Sequence, residues 1–418
     1  MRHVLRAFRH RNFRLFFAGQ GTSQIGTWLQ LIAVSWLVHR LSDSAFMLGL
    51  AAFALQFPFL VLAPFAGVMV DRYDKRRVLL ITNSIASGQS LALLALVATG
   101  RIEVWHLIAG NAVLGIVNAF DAPARQALLV RLVERREELP NAIAFNSTMM
   151  NGARFIGPMV GGTVIAAFGE TWGFALNSLS YVAMLTSLSR MRLAHVVPPR
   201  EAGSLLTRLG AGLRFAYGFL PTRAALLLLA ATSFCVAPYQ SLMPWFVQHV
   251  HGGDPETLGA LLGAGGGGAV SAMLYLATRT TVRGLLRLMA AAGITASLGL
   301  IGFAASSNFW LALAFIYCVG AGLMMIAAST NTVLQTIVPD ALRARVASLY
   351  VMAFLGAAPF GSLAAGWIGE TADPRLALAI GGVLGLLATA TYVRKLPAIR
   401  RDIDPVYEKL GIAPRTPQ

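Results

Sequence analysis

The sequence predicts an all-α polytopic membrane protein, with twelve transmembrane helices in two pseudo-symmetric six-helix bundles. Three observations carry that prediction. The 418-residue chain is 56% hydrophobic and only 12% charged, against roughly 25% charged for an ordinary soluble domain, so lipid must be part of its solvent. Its apolar residues are gathered into runs long enough to cross a bilayer as helices, for which about 20 residues suffice. Its basic residues are sorted by position along those runs. All Lys and Arg except Arg40, Arg101, Arg154 and Arg375 fall near the two termini or in and beside alternate connections.

In chain order, five arginines through Arg14 lead into a first span at 13–38. No small-residue cleavage site follows this run, so it reads as an uncleaved span and not a signal peptide. The second span, 45–70, and the third, 78–99, flank a compact charged turn. The fourth, 104–129, contains the first acid at membrane depth, Asp121. The fifth, 140–167, is rich in glycine, and the sixth, 171–189, closes the first half. Residues 190–223 form the longest break. It holds Pro198-Pro199, several arginines, and a stretch from Ser204 to Phe219 in which Leu205, Leu209, Leu213 and Phe219 share a helical face. That pattern predicts an amphipathic helix on the inner leaflet. The remaining apolar runs give spans at 224–249, 256–277, 284–305, 309–337, 344–369 and 375–396.

An even number of spans puts both termini on one side. Lys and Arg in short loops resist translocation, so that side is the cytoplasm and the membrane is the plasma (inner) membrane. The organisation that follows is a bundle at 1–189, a cytoplasmic linker at 190–223, a second bundle at 224–397 and a cytoplasmic tail at 398–418. The +16 net charge suits anionic lipid headgroups at that face rather than nucleic acid. Cys235 and Cys318 lie inside apolar runs and read as small core residues, not a disulfide. An internal repeat supports the division. A shift of 210 residues brings Thr22-Ser23 onto Thr232-Ser233 and Gln30 onto Gln240, and Gly157-Pro158 is echoed by Ala358-Pro359. Two duplicated halves predict a pseudo-two-fold axis along the membrane normal and a site near the midplane.

The charged turn reads Gly67-Val68-Met69-Val70-Asp71-Arg72-Tyr73-Asp74-Lys75-Arg76-Arg77. Its spacing, Gly-x-x-x-Asp-Arg-x-x-basic-basic, resembles the loop between the second and third helices of the major facilitator superfamily of secondary transporters. The resemblance implies a gate of Gly67, Asp71, Arg72 and Arg76, in which the acid docks on the start of the eleventh span, here Arg343-Ala344-Arg345-Val346. Physically, Gly67 would permit close approach of a neighbour, and Asp71 can accept from a helix N-terminus. The alternative is a basic, solvated topology signal. Asp74 stands where most of the superfamily has a second glycine. The corresponding turn of the second half, Arg279-Thr280-Thr281-Val282-Arg283, has no acid.

The fifth span carries Gly157-Pro158-Met159-Val160-Gly161-Gly162, which resembles the Gly-Pro-x-x-Gly-Gly pattern of the superfamily's antiporters. Proline removes a backbone donor and the glycines admit a neighbouring helix, so Gly157, Pro158, Gly161 and Gly162 are candidates for helix bending, with plain small-residue packing as the other reading. Asn118-Ala119-Phe120-Asp121-Ala122-Pro123-Ala124-Arg125, together with Phe13-Arg14-Leu15-Phe16 and the charged turn, is similar to the exporter branch that includes the enterobactin exporter and macrolide efflux proteins. Charges inside a membrane are expensive and mark function. Asp121 is either a proton carrier or a gate partner of Arg72 or Arg125, and Arg154 either attracts an anionic substrate or pairs with Asp121.

Polar residues recur on one face of the first span at Gln20, Ser23, Gln24, Thr27 and Gln30. With Asn118, Asn151, Arg154, Tyr239, Gln240 and Asn331 they are the candidates for lining a substrate cavity. Interhelical hydrogen bonding without a ligand is the competing use of such groups. The run Gly263-Ala264-Gly265-Gly266-Gly267-Gly268 lacks the Lys and Ser/Thr of a phosphate loop and is expected to pack helices. His249-Val250-His251 shows no third ligand, so no metal is expected there. No catalytic constellation appears at membrane depth, and neither an enzymatic activity nor a cofactor is expected. The reading is a monomeric secondary transporter that exports a small organic compound, a drug, siderophore or metabolite, against protons by alternating access. Uptake, facilitated diffusion and lipid or lysophospholipid flipping are the alternatives on the same fold.

Overall fold

A computed structural model describes residues 6–133, 136–192, 214–410 and 412. Among them the chain is helical, with no strand. The first half comprises α1 (Arg11–Ser42), α2 (Ala45–Arg72), α3 (Lys75–Ala98), α4 (Val104–Leu129), α5 (Leu139–Phe168) and α6 (Glu170–Arg190). The second comprises α7 (Leu220–Cys235), α8 (Tyr239–His251), α9 (Pro255–Ala277), α10 (Leu285–Ala305), α11 (Phe309–Ile337), α12 (Asp340–Thr371) and α13 (Pro374–Lys409). Each expected span finds its helix within a few residues, with two corrections. The seventh is broken at 236–238 into α7 and α8, because Pro238 offers no N–H and disfavours helical backbone at Ala237. The last runs well past 396, because Ile399, Ile403 and Tyr407 continue a buried stripe at helical spacing. Of the amphipathic stretch expected at Ser204–Phe219, residues through 213 lie outside the described residues, and 214–218 are helical.

The helix ends follow from local side-chain chemistry. Ser44 caps α2 by accepting from the Met47 N–H at 3.2 Å, and Asn308 caps α11 by accepting from Trp310 and Leu311. Asp373 does the same for α13. Gly169, at φ 86°, turns the chain between α5 and α6 in a conformation that glycine adopts without strain.

The chain forms two compact units, one of residues 1–201 with 243–263, the other of 202–242 with 264–418. In the first, α1 packs on α5 and α6, α3 on α4 and α6, and α2 on α4. Its apolar core gathers Phe13, Phe16, Leu79, Leu128 and Leu188. In the second, α7 packs on α12 and α13, and α10 on α11 and α13, around Leu228, Met289, Val333, Ile399 and Ile403. The pairings α1–α5, α1–α6, α3–α4 and α3–α6 thus recur as α7–α12, α7–α13, α10–α11 and α10–α13. Large apolar side chains point outward from both units: Phe65, Ile81, Leu179, Leu274 and Trp310 are all more than half exposed. Nine helical segments among the described residues are long and apolar enough to cross a membrane.

Candidate functional site

In the first unit the polar groups sort into three clusters. The deepest is centred on Asp121, which is 3% exposed. Its Oδ1 accepts from Thr82 Oγ1 at 3.1 Å and from Asn83 Nδ2 at 2.9 Å. Its Oδ2 pairs with the Arg125 guanidinium one turn along the same helix. Thr82 and Asn83 are neighbours on α3, so the α3–α4 packing delivers both donors to one carboxylate oxygen. Three side-chain donors from two helices thus converge on one buried carboxylate. Asp121 is the one buried acid within a helix span among the described residues.

The second cluster is an amide chain across the middle of the unit. Gln30 Nε2 donates to Gln89 Oε1 at 3.0 Å, and Asn177 Nδ2 donates to Gln30 Oε1 at 2.6 Å. Ser180 Oγ continues it by donating to Asn177 Oδ1 at 3.1 Å. Gln30 is 2% exposed. Its amide therefore ties α1 to α3 and α6. Other cavity candidates are placed differently. Gln24 Nε2 contacts Met150 Sδ at 3.0 Å, Thr27 donates back to the Ser23 carbonyl, and Asn151 donates back to Ser147. Asn118 is half-buried, whereas Arg154 and Asn331 are exposed. In the second unit, Tyr239 is buried at the start of α8, its hydroxyl accepting from Gln240 at 3.3 Å.

The third cluster is the charged turn. Asp74 caps α3, its Oδ1 accepting from the Arg77 N–H at 2.8 Å. That explains an acid where the superfamily pattern has glycine. Lys75 is 3% exposed, and its ammonium donates to the Val70 carbonyl at 2.5 Å and the Tyr73 carbonyl at 3.3 Å, with Asp71 at 3.7 Å. Arg76 donates from Nε to the Leu188 carbonyl at 2.6 Å and from a terminal nitrogen to the Ser189 carbonyl at 2.5 Å. There it complements the negative end of α6, beside Arg11 and Asn12, which donate to the carbonyls of Arg190 and Arg192. Asp71 and Arg72 are exposed and Arg345 is half-buried. Gly67 requires a correction: a Cβ there would meet nothing within 4 Å, so close approach is not its role in this conformation. The sequence reading missed the anchoring roles of Lys75 and Arg76. Arg76's partners, the α6 carbonyls of Leu188 and Ser189, lie over a hundred residues away, whereas those of Lys75 lie within the turn itself.

The Gly-Pro-x-x-Gly-Gly segment builds a seam on two sides of α5. On one side, a Cβ at Gly157 would meet Trp28 Cγ at 2.5 Å, and one at Gly161 would meet Ile32 Cγ1 at 3.3 Å. On the other, a Cβ at Gly162 would meet Gly259 Cα at 2.9 Å, and one at Gly259 would meet the Pro158 carbonyl oxygen at 2.5 Å. Backbone packs against backbone there, an approach that only glycine permits. Pro158 has no N–H to donate, yet α5 continues unbroken from Leu139 to Phe168. In the second unit, Gly265, Gly268 and Gly320 pack α9 against α11 with the same backbone closeness.

Residues 3–409 match the transmembrane secretion effector family. The multidrug efflux pump Tap of Mycobacterium tuberculosis is 27% identical, over 90% of this chain and 91% of that protein. The enterobactin exporter of Citrobacter koseri is 25% identical, again over 90% and 91%. The solved structure of a POT-type peptide transporter superposes with a TM-score of 0.75 at 12% identity, covering 94% of this chain and 96% of the other.

Proposed function

The chain belongs to the transmembrane secretion effector family of the major facilitator superfamily, a family of membrane transporters, and from that premise we propose that it exports a small organic compound in exchange for protons. The observation that carries the coupling is Asp121: a single carboxylate, buried within a span, with three donors whose hold on it depends on its charge. Protonation from one side of the membrane would free Arg125, and deprotonation towards the other would recapture it, giving the two protein states that alternating access needs. A proton crossing the membrane potential supplies about 2.3 kcal/mol per 100 mV. Export as the direction, and a siderophore or drug as the cargo, rest on what the two relatives are named for.

The test is cargo-linked proton flux in proteoliposomes of fixed orientation, loaded with a pH dye and challenged with siderophores, macrolides and lipophilic cations. Antiport predicts cargo moving one way and protons the other, with Asp121→Asn abolishing the proton signal. Cargo movement without a pH change, undiminished in Asp121→Asn, would replace the exporter by a facilitated-diffusion carrier. Movement of labelled lysophospholipid alone would make it a flippase.

A further inference from the structure

We propose that His39, Asp43 and His249 form a binding site for a divalent transition metal of the Zn2+ class, fastening the end of α1 to the end of α8. The Asp43 Oδ1 lies 3.7 Å from His39 Nδ1 and 3.5 Å from His249 Nε2, and the three ligand atoms are all within 4.8 Å of one another. Ligands of a tetrahedral Zn2+, bound at about 2.0–2.2 Å, sit roughly 3.3 Å apart. The cluster is therefore slightly wider than a loaded site and too wide for good hydrogen bonds between its members.

Local folding presents each ligand. His39 and Asp43 are one turn apart on α1, and Asp43 ends that helix in the left-handed region, φ 48°, with its N–H on the His39 carbonyl at 2.7 Å. His249 sits in the last turns of α8, its ring stacked on Trp245 at 4.7 Å. Its Nδ1 meets the Trp245 carbonyl at 3.3 Å. A carbonyl only accepts, so Nδ1 carries the proton and the Nε2 lone pair faces Asp43. That is the outer-sphere arrangement that fixes a metal-binding histidine.

The second observation is His39 itself. Its side chain is 1% exposed, Asp43 lies too far from Nδ1 for a good hydrogen bond, and the remaining polar partner of the ring is the Gln248 side chain. The groups facing it are the Asp43 carboxylate, the His249 imidazole and the Gln248 amide. A buried imidazole needs strong partners, and a metal on Nδ1 would be a stronger one than the Asp43 carboxylate at 3.7 Å. The neighbouring Arg40 does not compete for Asp43, because it pairs with Glu170 at 3.0 Å. Asp43 is 67% exposed and His249 36%, so an ion can reach the site and water can complete its shell. Two imidazoles and one carboxylate select Zn2+, Co2+ or Ni2+ over Mg2+ and Ca2+, which want oxygen. The 210-residue shift that aligns Gln30 with Gln240 also brings His39 onto His249. The two imidazoles are thus equivalent positions of the internal repeat, converging on one acid.

The experiment is calorimetric titration of ZnCl2 into tag-free, detergent-purified full-length protein, with Co2+ absorption as a second readout. Wild type should bind one equivalent, with tetrahedral Co2+ bands and no competition from Mg2+ or Ca2+. His249→Gln should weaken binding by at least about 100-fold, since even outer-sphere changes cost 10–100-fold. Asp43→Gly keeps the left-handed backbone while removing the ligand, so it should fold and show the same loss. No binding by wild type, or affinity unchanged in both variants, would overturn the site.

Discussion

At the scale of single residues, Lys75 and Asp71 separate anchoring from function within one turn of chain. The Lys75 ammonium is buried and holds two carbonyls, whereas Asp71 is exposed and lies at 3.7 Å from that ammonium. Replacing Lys75 by Met strips a charged donor from the buried Val70 carbonyl and from that of Tyr73, and hydrogen bonds to charged groups are worth about 1.5–3 kcal/mol each. Lys75→Met should therefore lower the detergent unfolding midpoint by several degrees. Asp71→Asn should leave that midpoint within error and still cripple transport, as expected of a gating acid. Transport at wild-type rate in Asp71→Asn would reduce the motif to a topology signal. The sequence made Asp71 conspicuous because an acid among basic residues is visible in one dimension. It hid Arg76, whose partners are backbone carbonyls brought near only by the packed α3 and α6, and Lys75, which folds back onto carbonyls of its own turn and so looks like any other basic residue of the loop.

At the scale of elements, α5 shows how a motif read two ways resolves into geometry. Gly162 faces the backbone of α9, Gly157 faces Trp28 of α1, and Gly152, on the same helix, faces open space. Even one methyl group at Gly162 would press on Gly259 Cα, which cannot turn away as a side chain can. Gly162→Ala and Gly259→Ala should each lower both stability and transport rate. Gly152→Ala should be neutral or slightly stabilising, because alanine favours a helix by about 0.5–1 kcal/mol. Thermal unfolding and cargo flux on the three variants read this directly, and equal effects at positions 152 and 162 would remove the seam as an explanation. The helix boundaries themselves were legible, since apolar runs and capping residues such as Ser44 and Asn308 are local signals. The break at 236–238 was partly so, Pro238 being its cause. The continuation of α13 was not: the hydropathy that defined a span falls away after 396, while Ile399, Ile403 and Tyr407 keep a narrower stripe buried against the second unit's own core.

At the scale of the whole molecule, the faint repeat in sequence becomes four repeated helix pairings, because packing faces outlast residue identity. The pairing of His39 and Asp43 with His249 was not legible for the opposite reason: His249-Val250-His251 stood out but showed no third ligand, because residues split across two repeats have no local spacing to read. Orientation in the membrane is the remaining global property, and the charge distribution predicts it. If Lys and Arg mark the cytoplasmic face, the turn carrying Arg77 lies inside and the turn carrying Arg101 lies outside, and both residues are exposed. With Cys235 and Cys318 replaced by alanine, Arg101→Cys should react with a membrane-impermeant maleimide on intact cells. Arg77→Cys should react only after the membrane is opened. Labelling of Arg77→Cys from outside would invert the topology. It would also place the charged turn outside and the end of α1, with the His39–Asp43–His249 cluster, inside, so that an ion bound there would come from the cytoplasm.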